Sequence, residues 1–163
     1  MLLDSLLPAI ERSALGEAIR SLGVWSYAAI NLVHILSVAI LLGAILILDF
    51  RLLGWRRHIN LGDIAAVTLP FALAGFFGAV ISGICMLSVN ASEYAGNPFL
   101  IIKFTALFLA LANALVFRYI PAWKLRGSHM PTKRDRVLLA TFGLVSLISW
   151  LTVVGAGRMI AYW

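Results

Sequence analysis

The sequence predicts an all-α integral membrane protein, a bundle of four transmembrane helices with an N-terminal interfacial amphipathic helix. Composition is the first observation: of 163 residues, 62% are hydrophobic and only 12% charged. Soluble domains carry about 25% charged residues, and a chain of this length could not hide so much apolar surface from water. The second is a set of four apolar runs, each reaching the ~20 residues that cross a ~30 Å hydrocarbon layer. The third is that aromatic and basic residues sort to the ends of those runs.

The N-terminal segment, 1–22, places Leu2, Leu3, Leu6, Leu7, Ile10, Leu15 and Ile19 at roughly helical spacing among Asp, Glu, Arg and Ser, with Pro8 as an interruption. Such a helix lies in the membrane surface or serves as a docking arm. Asp4, Glu11 and Glu17 do not fit a signal peptide, which needs a basic start and a cleavage site. The spans are expected at about 24–50, 66–89, 98–120 and 137–162, within a single membrane domain over 1–163. Gly75, Gly78, Ala79, Ser82 and Gly83 give the second span a face of small residues, which permits close helix approach. Gly155, Ala156 and Gly157 form a similar cluster in the fourth.

Orientation follows from the basic residues. Arg51, Arg56, Arg57, Arg118, Lys124, Arg126, Lys133, Arg134 and Arg136 flank the first and third connections. Only Arg12, Arg20, Lys103 and Arg158 lie toward the other side. The positive-inside rule then puts both termini outside, in the periplasm of a bacterial inner membrane. Trp25, Tyr27, Tyr94, Tyr162 and Trp163 fall at the outer interface, and Trp55, Tyr119 and Trp123 at the inner one, where amphipathic rings are favoured. Trp150 alone falls at mid-membrane. The net charge of +6 is explained by this topology signal rather than by nucleic-acid binding, since no basic stretch is longer than a short loop. The single cysteine, Cys85, rules out an internal disulfide and any Cys-based zinc or iron–sulfur site.

Ionisable groups inside a span cost about 2.5–3.5 kcal/mol at the centre on insertion scales, so each needs a reason. His34 lies ten residues into the first span, and Tyr27, Asn31, His34 and Ser37 share one helical face. Two readings are open. His34 hydrogen-bonds a neighbouring helix, or it ligates haem iron or bonds a quinone. For a haem the second ligand would be Met86, solvent or another chain, because His58 and His129 fall in loops. Lys103 stands in line with Ala106, Ala110, Asn113 and Phe117, and Arg158 has Tyr162 one turn further on. These two cations either snorkel to the headgroups or form an anion site for haem propionates or an anionic substrate. The candidate cofactor site is thus His34, Asn31, Lys103, Arg158 and Tyr162, with His34 as the metal ligand and no catalytic residue. Asp49 and Arg51 are expected to cap or pair at the end of the first span. No phosphate loop, nucleophile elbow or HExxH motif is present.

Trp25 and Tyr27, His34, and the run Leu48-Asp49-Phe50-Arg51-Leu52-Leu53-Gly54 resemble a pattern of short bacterial inner-membrane proteins. Asn97-Pro98-Phe99 with Lys103, and Gly157-Arg158 with Ala161-Tyr162, extend the likeness over most of the chain. The layout is similar to that of copper-resistance D-type and cytochrome b561-type helical bundles. Cytochrome b561-type bundles carry several intramembrane histidines, and this chain has one. The expectation is a small inner-membrane subunit of an electron-transfer system, holding b-type haem or quinone near His34. The alternatives are a non-catalytic accessory or anchor subunit, or a small-ion transporter. In each case the partners are lipid and either further copies of the chain or other membrane subunits, with no catalytic activity of the chain's own.

The topology is directly testable. A reporter active only outside the cytoplasm, fused after Trp163, should be active, and a reporter active only in the cytoplasm should be silent there. The reverse pattern would overturn the orientation.

Overall fold

The computed structural model describes residues 8–126 and 131–163. Every regular element in this range is helical: α1 (Ala14–Ser21), α2 (Val24–Leu53), α3 (Leu61–Val89), α4 (Pro98–Phe117), α5 (Pro121–Lys124) and α6 (Lys133–Met159). Short 3-10 turns occupy Ala91–Tyr94 and Ile160–Tyr162. Leu2, Leu3, Leu6, Leu7 and His129 lie outside the described residues.

The four long helices hold 30, 29, 20 and 27 residues. At ~1.5 Å per residue even the shortest spans about 30 Å. Their outward surfaces are apolar, with Phe108 71% and Ile81 63% exposed. Such surfaces are stable only against hydrocarbon. The chain is therefore a multi-pass membrane protein.

Helix ends fall where capping chemistry puts them, and this moves several of the expected boundaries. The first span runs on to Leu53 because Gly54 adopts φ 108°, a left-handed conformation open to glycine. Trp55 N then donates to Phe50 O (2.9 Å) and Gly54 N to Arg51 O (3.1 Å), a Schellman ending. The second span begins at Leu61 rather than 66, since Asn60 Oδ1 accepts from Gly62 N at 2.6 Å. The fourth begins at Lys133 rather than 137, behind a capping box of Thr132 and Asp135. The third stops at Phe117, because Ile120 must be extended before Pro121.

Opposite directions of neighbouring helices follow from their contacts. Moving along α2, His34 meets Ser82 and Leu41 meets Gly75 of α3. Likewise Leu41 clusters with Trp150 of α6, and Leu52 with Leu139. The helices thus pack in the spatial order α3–α2–α6–α4, and no comparable packing joins α3 to α4. One end of the bundle, called the terminal end, carries Val24, Val89, Pro98 and Met159. The other, the basic end, carries the Arg- and Lys-rich connections.

The α2–α3 seam is the closest approach. A Cβ on Gly75 would lie 2.6 Å from Leu41 N and 2.7 Å from Ser37 O, and one on Gly78 would strike Ser37 Oγ. At the basic end Leu52, Leu61, Ala65, Phe117, Trp123 and Leu139 form one buried cluster. Trp123, expected in the interfacial belt, is buried there at 6% exposure, tilted on Phe117 at 4.6 Å. Its place follows from α5, which folds the connection back under the bundle.

Residues 8–11 are helical, and the N-terminal arm breaks at 12–13, where Ser13 caps α1. Gly16 and Ile19 are buried, and Gly16 abuts the Ser88 carbonyl. Arg20 donates to Ser88 O (3.3 Å), Val89 O (3.1 Å) and Glu11 O (2.8 Å), so it caps the last carbonyls of α3. Glu11 in turn accepts from Ser92 N at 2.8 Å, and the Ser92 hydroxyl, then this backbone bond, lowers its carboxyl below the usual range. These bonds tie residues 11–20 of the arm to the bundle end.

Gly75→Ala should destabilise the fold by about 1–3 kcal/mol, because the added methyl meets backbone that cannot turn aside. Gly43→Ala, where a Cβ meets nothing within 4 Å, should be neutral or slightly stabilising. Reversible unfolding in mixed micelles would compare the two. Equal stability of both variants would contradict the described seam.

Candidate functional site

The polar stripe of α2 faces α3 as its spacing requires. Ser37 is buried against Gly78, and His34 Nδ1 lies 3.0 Å from Ser82 Oγ. Gly83 makes room for the ring: a Cβ there would lie 3.3 Å from His34 Cε1. Ser82 Oγ already donates its single hydrogen to Gly78 O at 2.5 Å. Its remaining role toward His34 is acceptor, which puts the hydrogen of a neutral imidazole on Nδ1, and the Ala79 backbone carbonyl also bonds the ring. Asn31, one turn nearer the terminal end, is half-buried and makes no side-chain hydrogen bond among the described residues.

Lys103 comes to the same region from α4. Its stripe is the buried one, with Ala106, Ala110 and Phe117 at 6%, 1% and 9% exposure and Asn113 Nδ2 donating to Phe142 O at 3.1 Å. The lysine stem packs on Gly157 of α6, where a Cβ would lie 3.6 Å from both Cε and Nζ. Nζ makes no hydrogen bond or ion pair among the described residues, and its charge acts electrostatically on His34. All four long helices therefore contribute: His34 from α2, Ser82 and Gly83 from α3, Lys103 from α4 and Gly157 from α6. The site lies in the terminal half of the bundle.

Arg158 and Tyr162 are arranged differently from the expected two-cation site. Arg158 Nη2 donates to the Tyr162 hydroxyl, and its guanidinium stacks over the Tyr162 ring at 4.8 Å. Both residues are exposed, so the pair occupies itself at the membrane edge, one residue past the glycine that holds Lys103. Tyr94 lies above the α2–α3 seam and bonds Tyr27; burial first, then Tyr27, pushes its phenol up to about 12.

Two features were not marked out by sequence. Ser82 carried only a small-residue signal, yet it sets the His34 ring. Asp49, expected to cap or pair, is 2% exposed, and its Oδ2 has no hydrogen-bond partner. Arg51 does not reach it, because its guanidinium donates to Ile59 O (2.9 Å) and Arg57 O (3.2 Å) in the connection.

Chemically, the His34–Lys103 arrangement offers one strong acceptor and one cationic donor at the edge of hydrocarbon. Haem would find an axial nitrogen in Nε2 and a propionate partner in Lys103. His58 is exposed in the connection after α2, so the described residues supply no second intramembrane imidazole. No cluster of three or more His, Cys, Asp or Glu suited to a metal ion occurs among them. A quinone head asks less, one donor and one acceptor beside an apolar wall for its tail, and both are present. Comparison with family models, curated proteins and solved structures returned no match.

Ser82→Ala should lower stability by about 0.6–1 kcal/mol, the usual value of one such intramembrane hydrogen bond. Nitrogen NMR of labelled His34 should then lose its single protonated-Nδ1 tautomer. An unchanged tautomer in Ser82→Ala would show that the hydroxyl does not set the ring.

Proposed function

We propose that this chain is a small membrane subunit of an electron-transfer system that holds the head group of a quinone at His34 and Lys103. The observation supporting this is the His34 ring, fixed by Ser82 and Gly83, within electrostatic reach of a Lys103 ammonium that has no partner among the described residues. An apolar ligand with polar oxygens is the class that such a site suits. The tail stays in lipid, one oxygen takes the Lys103 hydrogen bond, and Nε2 accepts from a ring hydroxyl in the reduced form. The bound quinone supplies two-electron redox chemistry. The protein's contribution is to fix the ring, hold negative charge near Lys103 and keep water from the head. Electrons would come from partner subunits, since almost all of this chain is in the membrane. The proposal places the protein in a bacterial inner membrane with both termini in the periplasm, consistent with the basic asymmetry. It also makes the resemblance to cytochrome b561-type layouts one of arrangement, with a different group held.

Protein in nanodiscs, titrated with a short-tailed quinone and followed by quenching of tryptophan fluorescence, should bind saturably. His34→Ala and Lys103→Met should each weaken binding about tenfold or more, the equivalent of ~1.4 kcal/mol for a lost charge-assisted or neutral hydrogen bond. Equal binding by wild type and both variants would reject the site. A Soret band in wild type that vanishes in His34→Ala would put haem in place of quinone. Ion flux in proteoliposomes with no quinone binding would favour transport instead.

A further inference from the structure

We propose that Asp49 is a proton-binding site, a carboxyl enclosed in the seam between α2 and α6 that is held as the neutral acid and exchanges its proton toward the basic end. The carboxyl lies one turn before the end of α2 and is only 2% exposed. Ser146 of α6 brings the one hydroxyl within hydrogen-bonding reach, while Oδ2 is buried with no partner. Gly143, one turn earlier on α6, is what closes the seam: a Cβ there would lie 2.9 Å from Leu52 Cβ and 3.3 Å from the Asp49 carbonyl oxygen.

An ionised carboxylate has about four acceptor sites and needs several of them answered once it leaves water. Here one hydroxyl answers one oxygen. No charged side chain makes up the difference. On α2, Arg51 is turned to the Ile59 and Arg57 carbonyls. On α3, Asp63 is exposed. On α6 no charged residue stands between Arg136 and Arg158. Beyond α4, Arg118 and Lys124 stack on Tyr119, and Arg126 stacks on Trp123. A proton cancels the charge with the fewest further requirements, and it also converts the acid into a donor for a backbone carbonyl. Asp49 is about 22 Å from His34 along α2 at ~1.5 Å per residue, so this inference does not depend on what His34 binds.

Asp49 is the only buried carboxyl among the described residues; Glu17, Asp63 and Glu93 are exposed, and Glu11 and Asp135 are half-buried. Infrared spectra of protein carrying isotope-labelled aspartate, in nanodiscs at neutral pH, should therefore show a protonated-carboxyl C=O band. The band should shift in heavy water, decline as pH is raised, and be absent from Asp49→Asn. In Asp49→Glu it should move from the aspartate label to a glutamate label. These readings on wild type and the Glu variant stand even if the Asn variant inserts poorly. Absence of the band in wild type overturns the proposal, as does its persistence in Asp49→Asn. Its loss on adding sodium at constant pH would make the site a cation site and overturn the proton reading.

Discussion

Inside a hydrocarbon layer a polar group has only the protein to bond, and this one constraint sorts the polar residues of the chain. Most are absorbed by their own helix. Thr68 donates to Ile64 O, Thr141 to Val137 O, Thr152 to Ile148 O and Ser88 to Cys85 O, each one turn back. These side chains ask nothing of neighbouring helices. A second group reaches across: Asn113 to Phe142 O ties α4 to α6, and His34 to Ser82 ties α2 to α3. What remains includes the Asn31 amide, the ammonium of Lys103, Oδ2 of Asp49 and, at the basic end, Nε of Arg126, for which the described residues give no hydrogen-bond partner. Structural economy accounts for the first two groups and leaves the third without explanation.

Glycine is what lets the second group exist. Lipid tails are as apolar as leucine, so helices in a membrane gain little by hiding apolar surface and associate through close packing and polar contacts. Gly75 and Gly78 bring the α3 backbone against Ser37 and Leu41, and that approach places Ser82 within reach of His34 two turns away. Gly83 then leaves space for the imidazole and Gly157 for the lysine stem. The same device at Gly143 seals Asp49. Three of the polar positions that invite a functional reading thus sit opposite glycines on a different helix.

That geometry explains what could be read in advance. Each span was legible because apolar length is a property of one segment, and the faces bearing His34 and Lys103 were legible because helical spacing is fixed. The Thr132–Asp135 capping box was also present in the sequence, but its polar first turn falls outside a search for apolar runs. Register between helices is a different quantity, set by which glycine meets which backbone. Ser82 could not be singled out from Ser88, nor the fate of Asp49 foreseen, without it. Arg158 and Lys103 are near neighbours in depth, yet helical rotation sends one to Tyr162 at the membrane edge and the other inward.

Lys103 and Asp49 are the opposite charges that could have neutralised each other, and the fold keeps them apart. One enters near the start of α4 at the terminal end, the other leaves near the close of α2 at the basic end, with most of the membrane thickness between them. At that separation the attraction is weak: ~332/(ε·r) at about 20 Å and the effective protein ε of about 20 is under ~1 kcal/mol. The insertion cost of each ionisable group is several times that. Compensation therefore has to be local, by a proton at the Asp49 end and by an oxygen-bearing ligand, headgroup or partner subunit at the Lys103 end. The two sites therefore stand at opposite ends of the bundle, each to be answered where it lies: Asp49 inside the α2–α6 seam and Lys103 beside Gly157.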